Sequence, residues 1–362
     1  MKAFETVILS AGGVDLHPVE IEWEASASEA ARTFKATITP KDVTRAGITA
    51  FAADVAALGV VLAQGPACTL TASGTLVLDG WIERYNPTLS STSPRIVVEG
   101  RSKSSLLVDS SAIHPTGEWR GSKPAAIVSE LAQRHGVTLT DRSKGSVARR
   151  LFRLTLGESA LSAAWRLARV DGHLMTGTAD GGVTYYRGPL GRHAGGLVEG
   201  ANLCEGAEAV HDWSKRAKTQ KVRGQKSRGA GKDDVEIDEE AKDGTVRRPV
   251  EVIIVASEDI DASAAARRAR WRRDQAAGEG LRMIAPATLG WRDAGGKLWE
   301  PGHLVWVESP YLGVAQDMAI EKVSARQSDA GTTAHLELVD PRALGGDKGK
   351  GGKSGKEWEM PE

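Results

Sequence analysis

Residues 281–342 read LRMIAPATLGWRDAGGKLWEPGHLVWVESPYLGVAQDMAIEKVSARQSDAGTTAHLELVDPR. Short apolar runs in this stretch are separated by Gly, Pro and Asp turns at intervals of about eight to twelve residues, which is typical of a small antiparallel barrel or sandwich. The run His335-Leu336-Glu337-Leu338-Val339 alternates with a period of two, which places one row of side chains in a core. No nucleophile, metal-ligand cluster or phosphate loop lies on the stretch. It therefore predicts a structural β-barrel.

The N-terminal part, residues 4–101, predicts another barrel-like domain. Val19–Glu24 and Phe34–Thr39 alternate between apolar and polar side chains, as half-buried strands do. Ser73-Gly74 predicts a tight turn between two further strands. The Ala-rich segment Ile48–Leu62 predicts a partly helical interruption.

Residues 102–202 change to a mixed pattern. Ser122 and Pro124 predict the start of one helix, with Gly136 at its end. A second helix is predicted between Gly157 and Gly172, with apolar side chains at helical spacing. These features indicate an α+β unit in which two helices cover a small sheet.

Two details of this unit concern turns and caps. Asp180-Gly181 lies between two alternating runs and predicts a hairpin. Glu158 and Ser159 stand at the start of the second helix, where a nucleophile pair is one reading. No histidine is in helical register with them, so capping is the preferred role.

Residues 203–285 return to strands, with an insertion. Leu203–Val210 and Lys221–Gln225 predict strands, and Ser227–Arg248 predicts a mobile loop because it mixes charges with few apolar residues. Val250–Val255 predicts a buried strand, and Ser257 predicts the cap of a helix that runs to Gly278. Beyond Leu344 the sequence repeats Gly and Lys and predicts a flexible tail.

Composition limits the function classes. The chain has 362 residues, enough for two to four units, and Lys+Arg equals Asp+Glu at 47 each, so no net charge favours nucleic acid or an anionic membrane. Ten Trp residues suit interfaces and barrel interiors equally. Cys68 and Cys204 lie far apart and indicate two structural thiols in a reducing compartment. We expect synthesis in the host cytoplasm without a signal peptide, because Met1–Glu5 opens no apolar run.

Two basic clusters are candidate nucleic-acid sites. The five arginines of the last predicted helix point around most of its circumference, so a solvated or ion-paired helix is favoured over a phosphate-binding stripe. The lysines of the tail favour a solubilising end over a binding segment. These residues are Arg267, Arg268, Arg270, Arg272, Arg273, Lys348, Lys350, Lys353 and Lys356.

No arrangement of residues predicts catalysis. The eight histidines form no metal-binding spacing, and the Gly191–Gly196 segment lacks the strand and helix of a dinucleotide site. The carboxylate pairs Asp233-Asp234 and Glu239-Glu240 lie in the predicted mobile loop, which cannot hold an acid and a base at fixed spacing. The prediction is therefore no catalytic, cofactor-binding or metal-binding residue and no cofactor. The histidines are His17, His114, His135, His173, His193, His211, His303 and His335.

The order of several motifs resembles one family. The C-terminal barrel is similar to that of bacteriophage Mu-type baseplate hub proteins, relatives of the late control protein D family and of the hub portion of VgrG. Similar features precede it in the same order over most of the chain. The residues that carry the resemblance are Gly100–Ala112, Ser122–Val137, Gly157-Glu158-Ser159, Gly172, Ala179–Val183, Arg187, Trp213-Ser214, Val222–Gln225, Gly290-Trp291, Gly296, Leu298-Trp299, Pro301-Gly302, Gly331-Thr332 and Pro341.

The resemblance implies an α+β, mainly β fold with two tube-like antiparallel β-barrels, an α+β lateral domain and a helix-containing insertion. The implied division assigns 1–101 to the first barrel and 102–202 to the lateral domain. It assigns 203–226 with 286–342 to the second barrel, 227–285 to the insertion and 343–362 to the flexible tail. The charged loop 228–246 and the tail match nothing in the family.

The resemblance further implies a structural, non-enzymatic hub in the tail baseplate of a virion. Three copies would form a ring that adapts a sixfold tail tube to a threefold spike. The implied partners are a tail tube or tube-initiator protein, a central spike protein and other baseplate proteins, with DNA or a tape-measure protein passing through the lumen.

Three alternatives stay open. One is the hub of a type VI secretion spike, although nothing after Pro341 predicts the β-helical needle that VgrG carries. Another is the distal tail hub of a non-contractile phage. The alternative from a different class is a tail-associated peptidoglycan hydrolase, which needs a catalytic set that the sequence does not show.

Overall fold

The computed structural model describes residues 4–39, 59–88, 95–143, 148–203, 206–224, 237–256, 260–287 and 290–345. Strands predominate, most of them in one 13-stranded sheet, and the longer helices among the described residues lie in the middle and C-terminal parts of the chain. The predicted class, α+β and mainly β, is confirmed.

The N-terminal strands pair in the order β3-β4-β7-β6-β5-β1-β2, always antiparallel. The predicted turn between β5 and β6 is confirmed, since Ser73 and Gly74 take φ angles of 46° and 79°. Residues 59–62 of the predicted helical segment are helical, and 48–58 lie outside the described residues. The strands are β1 (Val7–Ala11), β2 (Val14–Leu16), β3 (Glu20–Ser26), β4 (Thr33–Ile38), β5 (Ala67–Ala72), β6 (Thr75–Thr88) and β7 (Arg95–Ser102).

The middle of the chain contains the two predicted helices, here α2 and α3, above small sheets. Gly172 ends α3 in the left-handed region with a φ of 68°, as predicted. Ile127 and Leu131 of α2 pack with Leu167 of α3 in a separate hydrophobic cluster. The elements are α1 (Leu106–Asp109), β8 (Glu118–Ser122), α2 (Pro124–Gln133), β9 (Leu139–Arg142), β10 (Arg149–Arg153), α3 (Ala160–Asp171), β11 (Leu174–Gly177), β12 (Val183–Tyr186) and β13 (Gly191–Val198).

The C-terminal part contains a small sheet, a long helix and the strands of residues 281–342, here called the decisive stretch. The small sheet has the order β16-β15-β17, and helix α4 packs on it through Ala265 and Ala269. Strands β14, β18, β19, β20 and β21 join the main sheet. The elements are β14 (Glu208–His211), β15 (Thr219–Gly224), β16 (Ile237–Lys242), β17 (Glu251–Val255), α4 (Ala262–Glu279), β18 (Leu281–Ala287), β19 (His303–Ser309), β20 (Val314–Ser328) and β21 (Gly331–Val339).

A seam between β3 and β20 joins the N-terminal and C-terminal strands into one sheet. The two strands pair antiparallel from Ser26↔Lys322 to Ile21↔Gln327. Below the seam Trp23 and Trp291 meet edge to face, with ring centroids 5.9 Å apart, and both are fully buried. The two predicted barrels therefore share a sheet and a hydrophobic core, and their closure into barrels stays a prediction.

Several local predictions are wrong. Residues 237–242 of the predicted mobile loop form β16, because their alternating pattern buries Ile237 and Ala241 against α4. The helix cap is Asp261, whose carboxylate accepts the Ala264 N–H, whereas Ser257 lies outside the described residues. Helix α2 likewise has Lys123 at its cap position, with no side-chain hydrogen bond, rather than Ser122.

The segment Glu251–Val255 also differs from its prediction as a buried strand. It forms β17 at the edge of the small sheet, where Ile253 is 52% exposed and Val255 is 74% exposed. Helix α4 covers one face of this sheet only, so an apolar run does not guarantee burial of both faces.

Strand pairing crosses two of the predicted segment boundaries. Strand β13, assigned by sequence to the lateral domain, pairs with β19 of the main sheet. Strand β15, assigned to the second barrel, pairs instead with β16 and β17. The β13–β19 pairing joins residues far apart in sequence, such as Gly191 and His303, which a linear pattern cannot reveal. The β15–β16 pairing joins consecutive strands, and sequence reasoning missed it because the pattern of residues predicts a loop where β16 lies.

Candidate assembly surfaces and the buried polar centre

Arg32 is a buried junction between three parts of the chain. Its Nε donates to the Gly177 carbonyl at 3.0 Å, and its Nη1 donates to the Val77 carbonyl at 3.1 Å. Its Nη2 forms an ion pair with Glu300, whose side chain is also largely buried. One guanidinium thus ties the N-terminal strands, the hairpin after α3 and the C-terminal stretch together. These buried contacts between distant segments indicate a structural role.

Next to this junction, Asp293 and His193 form a pair that sequence reasoning missed. His193 Nδ1 lies 2.9 Å from Asp293 Oδ2, and the Glu300 N–H donates to His193 Nε2 at 3.1 Å. Because Nε2 accepts a hydrogen bond, the proton of the neutral ring is on Nδ1. An Asp–His pair in a hydrolase leaves Nε2 free to take a proton from a nucleophile. Here Nε2 is occupied, so the pair serves to position the turn.

The Asp293 carboxylate organises the polar turn of the decisive stretch. It accepts backbone N–H groups of Gly295 and Lys297, each at 2.9 Å, and of Ala194 at 3.0 Å. Burial by itself raises the pKa of Asp293, but the hydrogen bonds from His193 and these amides hold the pKa below its usual value. For His193, burial outweighs the neighbouring carboxylate and lowers the pKa. The pair is therefore a carboxylate with a neutral imidazole.

Two more histidines are neutral, His173 in a buried position and His303 in a half-buried one. Burial, with the charge of Arg187, lowers the pKa of His173 to about 4. Burial, with the charge of Lys297, lowers the pKa of His303 to about 4. His303 lies beside His193, with ring centroids 5.3 Å apart, but no group of His, Cys, Asp and Glu side chains in the described part of the chain has the geometry of a metal site.

The other candidate residues predicted from the sequence form a helix cap and ion pairs within the chain. Ser159 caps α3, accepting the Ser162 N–H at 3.1 Å, and Glu158 pairs with Arg166. Capping is thus confirmed for Ser159. Glu240 lies on β16 and pairs with Lys242, while Asp233 and Asp234 fall outside the described residues.

The five arginines of α4 divide between solvent and local partners. Arg267 and Arg270 are exposed, Arg273 pairs with Asp274, and Arg272 lies over the Trp271 ring. The preferred reading, a solvated and ion-paired helix, fits these contacts. The lysines of the tail fall outside the described residues.

Of the two cysteines, Cys68 is buried in β5 as a free thiol, and burial raises its pKa to about 12. A thiol with so high a pKa is not a nucleophile at neutral pH. Cys204 lies outside the described residues.

The outward face of the main sheet carries a ladder of alternating charge across the seam. Arg326, Glu22, Lys35, Glu99 and Arg84 stand opposite one another on β20, β3, β4, β7 and β6. Lys35 and Arg84 lie 3.2 and 3.1 Å from the Glu99 carboxylate. Such cross-strand pairs contribute roughly 0.2–1 kcal/mol each. The face is thus polar but close to neutral along this row.

Two exposed apolar side chains lie on the neighbouring strands at one end of the main sheet. Val210 and Ile284, on β14 and β18, are 48% and 47% exposed. Trp213 is 52% exposed, and it lines a cavity of about 440 Å³ together with Arg247 and Arg248. By contrast, Trp23, Trp291 and Trp299 are fully buried in the core of the main sheet. The guanidinium of Arg216 lies over one face of the Trp213 ring, 4.5 Å from its centroid. No helix of the described residues is long and apolar enough to span a membrane.

Two family models match the chain. Residues 104–187 match the second domain of gp44-like baseplate hub proteins, and residues 261–346 match the fourth domain of the Mu phage baseplate assembly protein GpP. The first match covers the middle helices and the hairpin, and the second covers α4 and the decisive stretch.

Individual proteins match over most of the chain. The baseplate hub protein gp44 of Escherichia phage Mu is 29% identical over 280 residues, which are 74% of this chain and 73% of gp44. Among solved structures, the 43 kDa tail protein of prophage MuSo2 from Shewanella oneidensis has a TM-score of 0.77 and 24% identity, covering 94% of this chain and 99% of that one. A tail protein from Neisseria meningitidis has a TM-score of 0.75 and 18% identity, covering 95% and 99%.

A more distant fold match is a component of the type VI secretion system of E. coli. Its TM-score is 0.55 at 12% identity, over 91% of this chain and 76% of that one. At that identity the likeness shows the fold alone. Together, the family models and the Mu protein confirm the resemblance that the order of the motifs predicts, and the chain is related to the Mu-type baseplate hub proteins.

Proposed function

We propose that this chain is the structural baseplate hub of a contractile phage tail or tail-like particle, located in the tail of the virion. In this proposal three copies form a ring that adapts the sixfold tail tube to the threefold central spike. The observation that supports this proposal is the order of the strands in the main sheet. Among the described strands, seven lie on one side of the seam and six on the other: β3, β4, β7, β6, β5, β1 and β2 on one, and β20, β21, β18 and β14 on the other, with β19 and β13 joined through β20.

This arrangement supports a change of symmetry. One chain offers two units of similar extent, with seven and six strands, so a threefold ring of chains offers six such units. A sixfold tube requires six similar contact surfaces, whereas the spike requires three. The division into a first barrel (1–101), a lateral domain (102–202), a second barrel (203–226 and 286–342), an insertion (227–285) and a tail (343–362) belongs to this proposal.

The charge ladder supports an assignment of the lumen. A passage for DNA or a tape-measure protein must not bind its cargo tightly, and a cationic lining would bind phosphate. On the outward face of the main sheet, each charge in the row from Arg326 to Arg84 stands beside the opposite charge. We assign this face to the lumen of the ring.

The partners follow from this placement. The tail tube or its initiator would contact one rim of the ring, the central spike the other, and further baseplate proteins the periphery. The protein is proposed to be non-enzymatic. The support is the His193 ring, whose two nitrogens are both engaged within the chain, and the structural positions of Ser159, Glu240 and Cys68.

Light scattering on the purified chain tests the ring. The expected mass is three times the 38.4 kDa of one chain. Electron micrographs of particles with labelled hub would then show the label at the distal end of a sheathed tail. A chain that stays monomeric at all concentrations and is absent from particles would contradict the proposal.

The fold match to a type VI secretion component favours one second candidate, the hub of a secretion spike. Association of the labelled chain with a secretion apparatus instead of a phage tail would select it. A zymogram on peptidoglycan tests the hydrolase alternative, and a cleared band would refute the non-enzymatic assignment.

A further inference from the structure

The small sheet β16-β15-β17 has two edges that differ in chemistry. Strand β16 carries Asp238, Glu239, Glu240 and Lys242 among its six residues, whereas β17 has one charged residue, Glu251, at its start. Natural proteins protect free edges with charged side chains, because exposed backbone N–H and C=O groups otherwise recruit another strand. Strand β16 is protected in this way, and β17 is not.

The side chains of β17 are open on the face that α4 does not cover. Ile254 stands opposite Val222, which is fully buried in the cluster with α4. Ile253 and Val255 point to the other face and are 52% and 74% exposed. Within the described residues β17 has a hydrogen-bonded neighbour on one side only, β15. Among the described residues, nothing covers this edge or the side chains of Ile253 and Val255.

Cationic groups lie at the start of this edge. Arg247 and Arg248 precede β17, and among the described carboxylates none lies within ion-pair distance of either. Both line the cavity beside Trp213, and Arg248 Nη2 reaches the Ser214 carbonyl at 3.4 Å. A strand added antiparallel to β17 would bring its C-terminal end to these arginines, since antiparallel neighbours run in opposite directions.

From these observations we propose that β17 is a docking edge for an extended segment of another protein. The segment adds as an antiparallel strand, places β-branched side chains against Ile253 and Val255, and ends in carboxylates that pair with Arg247 and Arg248. Main-chain hydrogen bonds supply the affinity, and the apolar contacts and the ion pairs supply the specificity. The inference does not require the ring proposed above.

A synthetic peptide tests the proposal on the full chain. The fluorescein-labelled probe Thr-Val-Thr-Val-Thr-Asp-Asp has the alternation and the acidic end that the edge selects. We expect saturable binding by fluorescence anisotropy. We also expect a loss of about tenfold or more, which corresponds to about 1.4 kcal/mol, for the same peptide with N-methyl groups on alternate amides. A peptide with Asn in place of Asp is expected to bind more weakly and to lose its salt dependence.

Variants of the chain locate the binding. Val255→Lys and Arg248→Glu should each weaken binding of the probe by about tenfold. The matched control is Leu151→Lys, on β10, because Leu151 is 42% exposed and lies in a different sheet. Urea midpoints equal to that of the unchanged chain will show that the variants fold.

Three results of the binding assay would overturn the proposal: no saturable binding, equal binding of the N-methylated peptide, or an equal effect of Leu151→Lys. Sedimentation of the variants separates this edge from self-assembly. We expect Val255→Lys to leave the oligomeric mass unchanged. A fall in mass would assign the edge to a second copy of the chain and refute an external partner, without bearing on whether a ring forms.

Discussion

Replacing Arg32 with Met tests whether the guanidinium holds the three parts of the chain together. The substitution keeps most of the side-chain volume but removes the hydrogen bonds to the Gly177 and Val77 carbonyls and the ion pair with Glu300. Glu300 stays as a largely buried carboxylate without its counter-ion. Breaking a buried ion pair from one side costs roughly 3–5 kcal/mol. Since the Arg32 side chain is only 5% exposed, we expect the full effect.

The assay is urea unfolding followed by tryptophan fluorescence, because Trp23, Trp291 and Trp299 are buried in the main hydrophobic core and Trp299 directly precedes Glu300. The loss of 3–5 kcal/mol should appear as a fall of about 1.5–2.5 M in the urea midpoint, for a slope of about 2 kcal/mol per M. Because the chain has several hydrophobic clusters, the transition that reports on these indoles is the one to compare.

The matched control is Arg120→Met. Arg120 also pairs with a carboxylate, that of Glu118, but its side chain is 70% exposed. An exposed pair contributes about 0–1 kcal/mol, so the midpoint should hardly move. The double variant Arg32→Met/Glu300→Met should recover part of the loss, since it removes the unpaired carboxylate. Equal midpoints for Arg32→Met and Arg120→Met would refute the argument that burial makes this junction strong.

Three further predictions concern two histidines and one glycine. The free energy of unfolding should fall as the pH drops from about 6.5 towards 4, because His173 and His303 bind protons in the unfolded state over this range but have pKa values of about 4 in the folded state. An unchanged urea midpoint at pH 4.5 would contradict this. His173→Phe should raise the free energy of unfolding near neutral pH by about 1–2 kcal/mol, because it keeps the stack on Tyr185 and removes two buried ring nitrogens without hydrogen-bond partners. It should also reduce the loss of stability at acid pH, and a lower urea midpoint than that of the unchanged chain would refute the prediction. Gly172→Ala should lower the free energy of unfolding by about 1–3 kcal/mol, because a Cβ there meets the Trp271 ring at 2.6 Å on a backbone with φ of 68°. A loss of less than about 0.5 kcal/mol, measured by urea unfolding, would show that the neighbouring ring moves aside.

Local features of this protein follow from its sequence because they depend on residues close together in the chain. Ser73-Gly74 predicts its turn since Gly accepts a positive φ, and Ser159 with Gly172 predicts both ends of α3. The alternation in Val19–Glu24 predicts which side chains of β3 are buried. The family resemblance likewise rests on the order of such local motifs.

Contacts between distant residues were decided only in the tertiary structure. His193 and Asp293 are 100 residues apart, and Arg32 and Glu300 are 268 apart, with no periodicity that links them. The exposure of β17 is of the same kind, because Val250–Val255 has the apolar composition of a buried strand, and only the position of α4 leaves one face and one edge open. Hydrophobic pattern sets which residues leave water, whereas the pairing of strands and the placing of charges depend on which surfaces the folded chain brings together.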